Sequence, residues 1–247
     1  MHRILLFLFL LAAFFTGGFT GARWLKSHAL WKKGETASHT DAPFKPTSFC
    51  VENLPFVIAI VGKNNGAWVE KLLLSVSSQN YPNYRIVYID DASDDGSFEL
   101  ARDLICAQTS SVNISVMRNE EPLGFIKSLA RVVRECKDRE IVVVLHGEDR
   151  LAHEWVLQRL NQYYANPDLW ITYGQYLMAP SYQVGICRAL RENERPRSAP
   201  FFASHLKTFY ARLFKMIRET DFDSQGDVGV EMAIRTGFAF SIESGLH

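Results

Sequence analysis

The stretch IVYIDDASDDGS, residues 86–97, is the most informative segment of this chain for its fold. Its β-branched and aromatic start predicts a buried strand. Asp90 and Asp91 come at the carboxyl end of that strand, and a turn rich in Asp, Ser and Gly follows them. Ligands of open α/β sheets bind outside the carboxyl ends of strands, so these carboxylates are candidates for binding a base or a ribose. The alternative is a turn in which residues 94–97 only cap the next helix.

Strands and helices alternate on both sides of this stretch. Further apolar runs that predict strands cover residues 56–61, 113–117, 141–145 and 170–173, and helical spacing of apolar residues covers 67–78, 97–108, 125–136 and 153–164. The alternation predicts βαβ units, hence an α/β fold with a mostly parallel central sheet flanked by helices. After Tyr176 the pattern is irregular. Residues 204–217 return to helical spacing, which predicts that His205 lies on a helix, at the surface or in a groove, and not as a ligand.

Two other predicted strands also end in polar residues, Lys-Asn-Asn at 63–65 and His-Gly-Glu-Asp at 146–149. Parallel strands present their carboxyl ends at one edge of a sheet, so these clusters are expected to lie beside Asp90 and Asp91. Glu148 and Asp149 offer the oxygen ligands that Mg²⁺ or Mn²⁺ prefers, and a histidine nitrogen suits Mn²⁺ better. The alternative is that the two acidic residues only favour the start of the following helix.

Composition and the absence of certain motifs argue against several classes of function. The chain has 247 residues, is 47% hydrophobic, and balances 27 basic against 27 acidic residues. That length supports one sizeable domain, and the zero net charge gives no overall basic field for binding nucleic acid. The four cysteines are widely spaced, which favours free thiols in a reducing compartment. Neither a glycine-rich dinucleotide motif nor a P-loop is present.

The amino terminus is expected to lie outside the folded domain. Residues 4–22 carry no charge and are just long enough to span a bilayer, and four basic residues follow by position 33. This bias predicts an anchor over residues 1–23 in the inner (cytoplasmic) membrane, with the domain on the cytoplasmic side. The alternative is a signal peptide cleaved after Ala22, followed by export. A linker is predicted over 24–53 and the domain over 54–247, divided into halves at 54–176 and 177–247.

Three segments of the chain resemble segments of a known protein family. The string VIAIVGKNNGAWVEKLLLSVSSQNYPNYRIVYIDDASDDGS, residues 57–97, resembles the amino-terminal half of family 2 glycosyltransferases of the GT-A fold, chiefly through its Asp-Asp-x-Ser-x-Asp-Gly-Ser segment. Asn119 and the Pro-Leu-Gly at 122–124 are similar to the family's Asn-x-Gly segment. VVVLHGEDRL, residues 142–151, resembles its Asp-x-Asp strand end, although His146 and Glu148 stand where the family has aspartates. The resemblance covers residues 57–176 well.

The resemblance implies an inverting glycosyltransferase of hexosyltransferase type. It would use a nucleotide-diphospho-sugar donor with Mg²⁺ or Mn²⁺, and a glycan or lipid-linked acceptor bound by an irregular, helical carboxyl-terminal half. The residues that match the family's nucleotide-binding positions are Asn64, Asp90, Asp91, Lys127 (or Arg131) and His146; those that match its metal-binding positions are Glu148 and Asp149; and the match to its catalytic base is Glu231, with Asp227 and Glu243 as alternatives.

The altered acidic motif leaves a second interpretation open. Glutamate is one methylene longer than aspartate, so Glu148 changes the geometry of a metal ligand, and His146 replaces a carboxylate altogether. A catalytically degenerate protein with this fold would retain nucleotide or glycan binding without metal-dependent transfer. Metal-dependent binding of a nucleotide distinguishes the enzyme from the binding protein.

Overall fold

A computed structural model describes residues 4–6, 52–108, 112–188, 203 and 205–217. Its strands are β1 (Ile4–Leu6), β2 (Phe56–Gly62), β3 (Tyr84–Asp90), β4 (Asn113–Arg118), β5 (Ile141–His146), β6 (Asp149–Arg150), β7 (Ile171–Thr172), β8 (Leu177–Ala179), β9 (Gln183–Val184) and β10 (Thr208–Tyr210). Its helices are α1 (Gly66–Ser77), α2 (Ser97–Ala107), α3 (Phe125–Arg134), α4 (Val156–Tyr164) and α5 (Ala211–Lys215). The predicted elements up to residue 172 are confirmed, with small shifts at their ends.

The central sheet has six strands in the order β4-β3-β2-β5-β10-β7. The first four are parallel to one another, and β10 is antiparallel to both β5 and β7. From β2 the chain builds outward through β3 to β4, and then returns to place β5 on the other side of β2. The gap between β2 and β5 is therefore the point where the strand order reverses, which is where open α/β sheets bind ligands.

Alternate residues of the strands enter two apolar layers, one on each face of the sheet. Phe56, Ile58 and Ile60 of β2 pack with α1, α2 and α4, whereas Val57, Ala59 and Val61 pack with α3 and α5. Because β2 is fully buried on both faces, its sequence is an unbroken apolar run and does not alternate between apolar and polar residues. The fold is a three-layer sandwich of helices, sheet and helices.

One predicted element is wrong in its first half. The helix predicted over residues 204–217 is a strand, β10, followed by the short helix α5. Thr208 and Phe209 are fully buried between β5 and β7. Their apolar spacing is also compatible with a helix, but pairing with these two neighbours makes the segment a strand. Consequently His205 precedes a central strand instead of lying on a helix.

The amino-terminal segment is described only in part. β1 pairs in parallel with β6 and antiparallel with β8, and β8 pairs with β9. Residues 4–6, predicted as part of a membrane anchor outside the domain, therefore form a strand that pairs with the domain. The predicted anchor and the predicted linker otherwise lie outside the described residues, apart from the linker's last two positions. Across the described ranges, no helix is both long and apolar enough to cross a membrane.

Candidate active site at the reversal point of the sheet

Four strand ends meet at one edge of the sheet. In the strand register Gly62 lies opposite Asp90, Val61 opposite His146, and Asp90 opposite Arg118. The polar clusters that follow β2, β3 and β5 are thereby brought together, as their positions at the ends of parallel strands predict.

Asp91 holds the start of α3 in place. The side chain is buried, and its Oδ1 accepts hydrogen bonds from Leu123 N (2.8 Å), Asn119 Nδ2 (2.6 Å) and Ser128 Oγ (3.0 Å). Its Oδ2 accepts one from Gly124 N at 2.9 Å. Burial by itself raises the pKa of Asp91, but these four hydrogen bonds outweigh it and hold the pKa below its ordinary value. Asp91 is thus an ionised carboxylate whose Oδ2 retains the capacity for a further donor.

Asp90 shapes the turn that follows β3. It is fully buried; Oδ2 accepts a hydrogen bond from Ser93 N at 2.9 Å, and Oδ1 accepts one from Ser93 Oγ at 2.5 Å. Arg118 lies beside it, with Nε 3.5 Å from Asp90 Oδ2, and donates through NH2 to Ser93 O at 2.9 Å. Asp90 therefore supports the loop that presents Asp91.

The turn after Asp91 also caps helices, as the alternative interpretation predicts. Asp95 Oδ1 accepts a hydrogen bond from Ser97 N at 2.9 Å, and its Oδ2 accepts one from Gly66 N at 3.3 Å. One carboxylate thus serves the amino ends of both α1 and α2. The same segment thus uses Asp95 at the starts of two helices, whereas Asp91 binds the residues that precede α3.

Asn64 and Asn65 connect the end of β2 to its neighbours. Asn64, at φ 49°, donates from its backbone N to Ser93 Oγ at 2.9 Å. Asn65 is buried; its Nδ2 donates to Gly147 O at 2.8 Å, and its Oδ1 accepts from Tyr88 OH at 2.8 Å. The sequence predicts that the polar residues at 63–65 lie at the site, but it predicts a role only for Asn64 and none for Asn65. It is the side chain that ties β3 and β5 together across the reversal point.

His146 is neutral in this setting. Its ring stacks on Phe125, with ring centroids 4.1 Å apart and planes 10° from parallel. Burial, followed by the nearby charges of His205 and Lys207, lowers the pKa of His146 to about 3. A neutral imidazole cannot replace the charge of the aspartate that it stands for, but its nitrogens can accept or donate a hydrogen bond.

Asp149 is the least satisfied polar group of the site. Its side chain is fully buried, and its Oδ1 has no hydrogen-bond partner. Burial first, and then the charge of Glu148, raises the pKa of Asp149 well above its ordinary value. A buried carboxylate oxygen without a partner is costly, and a cation would relieve that cost. The donor chemistry therefore fits one carboxylate ligand for Mg²⁺ or Mn²⁺.

His205 lies close to Asp149 and not on a surface helix as predicted. Its Nε2 lies 3.6 Å from Asp149 Oδ2, and its ring centroid lies 5.3 Å from that of His146. Burial first, and then Lys207, lowers the pKa of His205 to about 4. Nothing local in the sequence points to this contact, because it depends on β10 lying beside β5.

The remaining predicted residues are exposed, support the cluster from its edge, or lie outside the described residues. Glu148 is exposed on the β5–β6 turn, and Lys127 is exposed in the first turn of α3. Arg131 donates from NH1 to Asn119 Oδ1 and so supports the group around Asp91. Glu231 and its alternatives Asp227 and Glu243 lie outside the described residues. Within the described ranges, no group of three or more His, Cys, Asp or Glu side chains is placed to hold a metal ion.

Comparison with solved structures shows the same fold in glycosyltransferases. The mannosyltransferase PcManGT from Pyrobaculum calidifontis, solved with GDP-Man and Mn²⁺, has a TM-score of 0.56 and 18% identity, with 88% of this chain and 58% of that chain covered. S. aureus TarS 1-349 has a TM-score of 0.55 and 14% identity, covering 75% of this chain and 56% of that one. GalNAc-T7 with UDP, GalNAc and Mn²⁺ has a TM-score of 0.53 and 17% identity, covering 74% and 40%.

These likenesses establish the fold, and the chain spans a little over half the length of the first two structures. Among curated proteins, none has a sequence that matches this chain. The family model for glycosyl transferase family 2, however, matches residues 57–219, which is most of the chain and includes every strand end described above. This protein, with its GT-A fold, belongs to glycosyltransferase family 2.

Proposed function

We propose that this chain transfers a hexosyl group from a nucleotide-diphospho-sugar to a glycan or lipid-linked acceptor, with inversion and with the help of Mg²⁺ or Mn²⁺. The observation that carries the proposal is the convergence of Asp91, His146 and Asp149 at the reversal point of the sheet. In support, the mannosyltransferase and GalNAc-T7 structures were solved with Mn²⁺ and with a nucleotide or nucleotide sugar.

The roles in this proposal follow from the charges of the side chains. Asp91 is ionised and rigidly held, so its Oδ2 is suited to accept a hydrogen bond from a base N–H. His146 is neutral and is suited to a ribose hydroxyl. Lys127, exposed at the start of α3, is free to approach a pyrophosphate. Together these residues would orient the donor. Holding two bound reactants in the correct geometry removes a large part of the activation free energy of a displacement.

Asp149 is the residue that we propose holds the metal, with Glu148 and His205 as the nearest further donors. A bound divalent cation supplies Lewis-acid stabilisation of the departing nucleoside diphosphate. Glu231 is proposed as the base that takes the proton of the attacking acceptor hydroxyl. We also propose that the part of residues 1–23 that follows β1 tethers the domain to the inner membrane on its cytoplasmic side, with cleavage and export as the alternative.

Calorimetry on the purified full chain tests the proposal. UDP, GDP and CDP are titrated with Mn²⁺ or with a chelator, and release of nucleoside diphosphate from the corresponding sugar donors is followed in parallel. We expect one nucleotide to bind in a Mn²⁺-dependent manner, and both Asp91→Ala and Asp149→Asn to reduce donor turnover by about 100-fold or more. Turnover that is unchanged in both variants would show that the site is assigned wrongly.

The second candidate is the binding protein without transfer activity. It is favoured by the neutral His146 in the acidic motif, and by the lack of a three-residue metal cluster in the part of the chain that the structure describes. Nucleotide binding that is insensitive to Mn²⁺ and to chelator, without turnover of any donor, would support it.

A further inference from the structure

A pocket beside Asp149 is left unused by the roles assigned above. It lies between α1 and the turns around β6 and β8, and its wall includes Trp68, Lys71, Glu148, Asp149, Arg150 and Tyr182. Since it shares Glu148 and Asp149 with the candidate active site, a molecule bound in it lies next to the proposed donor and metal positions.

Arg150 supplies the strongest indication of a ligand. Its Nε is buried and has no hydrogen-bond partner, and Arg150 forms no ion pair with the residues that the structure describes. A buried guanidinium N–H that donates to nothing costs free energy, which a ligand oxygen at the right place would recover. Guanidinium groups match carboxylates and phosphates, to which they donate two parallel hydrogen bonds.

Lys71 adds a second positive charge to the wall. It is exposed on α1, one turn after Trp68, so both side chains lie on the same face of the helix. Glu148 and Asp149 are the acidic groups of the pocket, and both come from the β5–β6 side that is proposed to carry the metal. A cation bound there would offset their charge, which leaves Lys71 and Arg150 as the charges that a second substrate meets.

The aromatic residues indicate the shape of that substrate. Trp68 is partly buried, whereas Tyr182 is 64% exposed in the turn between β8 and β9. Flat, amphipathic rings give a large contact area and keep polar edges available, which suits the apolar faces and hydroxyls of a sugar ring. The pocket thus combines surfaces for a sugar with donors for an anion.

We propose that this pocket is the acceptor subsite, and that it takes a saccharide carrying a carboxylate or a phosphate group. The proposal rests on the proposed glycosyltransferase function, because it names the second substrate of the same site. Arg150 would donate to the anionic group, Lys71 would add long-range attraction, and Trp68 would pack against the ring.

The experiment titrates three tetrasaccharides of equal length into the full chain held with its nucleotide and Mn²⁺. One is a uronic acid oligomer, one carries a terminal phosphate monoester, and one is neutral. We expect at least one anionic probe to bind about tenfold more tightly than the neutral one, and the tighter of the two identifies the anionic group. Equal affinity for all three, or binding of none, would overturn the proposal.

Variants separate recognition from folding. Lys71→Ala changes an exposed residue and is expected to reduce the anionic preference about fivefold, while Arg150→Lys keeps the charge but loses the planar donor and reduces it about tenfold. Lys137→Ala, an exposed lysine in the turn before β5 at the opposite end of the strands, is the matched control and should change nothing. An anionic preference that survives both pocket variants would contradict the proposal.

The nucleotide titration, run first, keeps the two proposals distinguishable. If no nucleotide binds but the anionic probes do, the proposed function fails while the anion-binding pocket stands. If a nucleotide binds and the probes show no preference, only the acceptor assignment fails.

Discussion

Oδ2 of Asp149 lies 3.6 Å from Nε2 of His205, and this contact joins the acidic motif after β5 to the segment that leads into β10. Burial raises the pKa of Asp149 and lowers that of His205 to about 4, so each group is driven toward its uncharged form. The pair is therefore a poor ion pair. A bound cation would stabilise the ionised carboxylate and leave the imidazole neutral.

Replacement of Asp149 by Asn is expected to stabilise the metal-free chain. The substitution removes a buried ionisable group with an unsatisfied oxygen, so the free energy of unfolding at pH 7.5 should rise by about 1 kcal/mol. Thermal unfolding with chelator measures the gain. Glu148→Gln, at an exposed position, should leave the melting temperature unchanged. A clear loss of stability in Asp149→Asn would mean that Asp149 has a structural role.

Acidification is expected to destabilise the chain through its two partly buried histidines, His146 and His205. Their folded-state pKa values, about 3 for His146 and about 4 for His205, lie below the ordinary 6.5. Their contribution to stability is therefore complete above pH 6.5 and is lost as the pH falls toward 4, by about 2 kcal/mol for each histidine between pH 6.5 and 4.5. Asp149 contributes with the opposite sign, because its raised pKa favours the folded state at low pH.

Urea unfolding at pH 6.5, 5.5 and 4.5 measures this dependence. His205→Gln and His146→Gln should each flatten the loss of stability, and Asp149→Asn should steepen it by removing the opposing group. His153→Gln, outside the cluster before α4, serves as the control. A pH profile that is identical in the wild type and the two cluster variants would refute the assignment of neutral imidazoles.

Asp91→Ala is expected to be among the most destabilising single substitutions in the domain. It leaves the backbone N–H groups of Leu123 and Gly124 and the side chains of Asn119 and Ser128 without a shared acceptor. We expect a loss of about 3–5 kcal/mol in the free energy of unfolding by urea. Asp94→Ala, an exposed aspartate in the same turn, should change it by less than about 0.5 kcal/mol. A loss below about 1 kcal/mol for Asp91→Ala would show that these hydrogen bonds are dispensable.

Much of this fold was predictable because its determinants are local. The runs that form β2, β3 and β5 have continuous apolar centres, and amphipathic spacing marks α1 and α3. The register between parallel strands then requires that Asp90, Asp91 and His146 share one edge. Local sequence and topology agree here, which is why the strand ends could be assigned to one site.

The missed features depend on contacts between distant segments. β10 has apolar spacing that also fits a helix, and only its place between β5 and β7 makes it a strand. The contact of His205 with Asp149 follows from that placement. The contacts of Asn65 have a related cause, because its partners lie on distant segments: Tyr88 on β3 and Gly147 in the turn after β5. Local patterns carry no information on such pairs.

Gly147→Ala tests how closely β2 and β5 must approach at the reversal point. A Cβ at Gly147 would lie 2.5 Å from Asn65 Nδ2 and 2.8 Å from Gly62 Cα, so either the backbone or the Asn65 hydrogen bonds must shift. We expect a loss of about 1–3 kcal/mol in unfolding free energy, with a matching fall in nucleotide affinity because the strand ends separate. Gly66→Ala is the control, since a Cβ there meets its nearest neighbour at 3.4 Å, an ordinary contact in the first turn of α1. Wild-type stability and nucleotide affinity in Gly147→Ala would show that the close approach of the two strands is not required for the site.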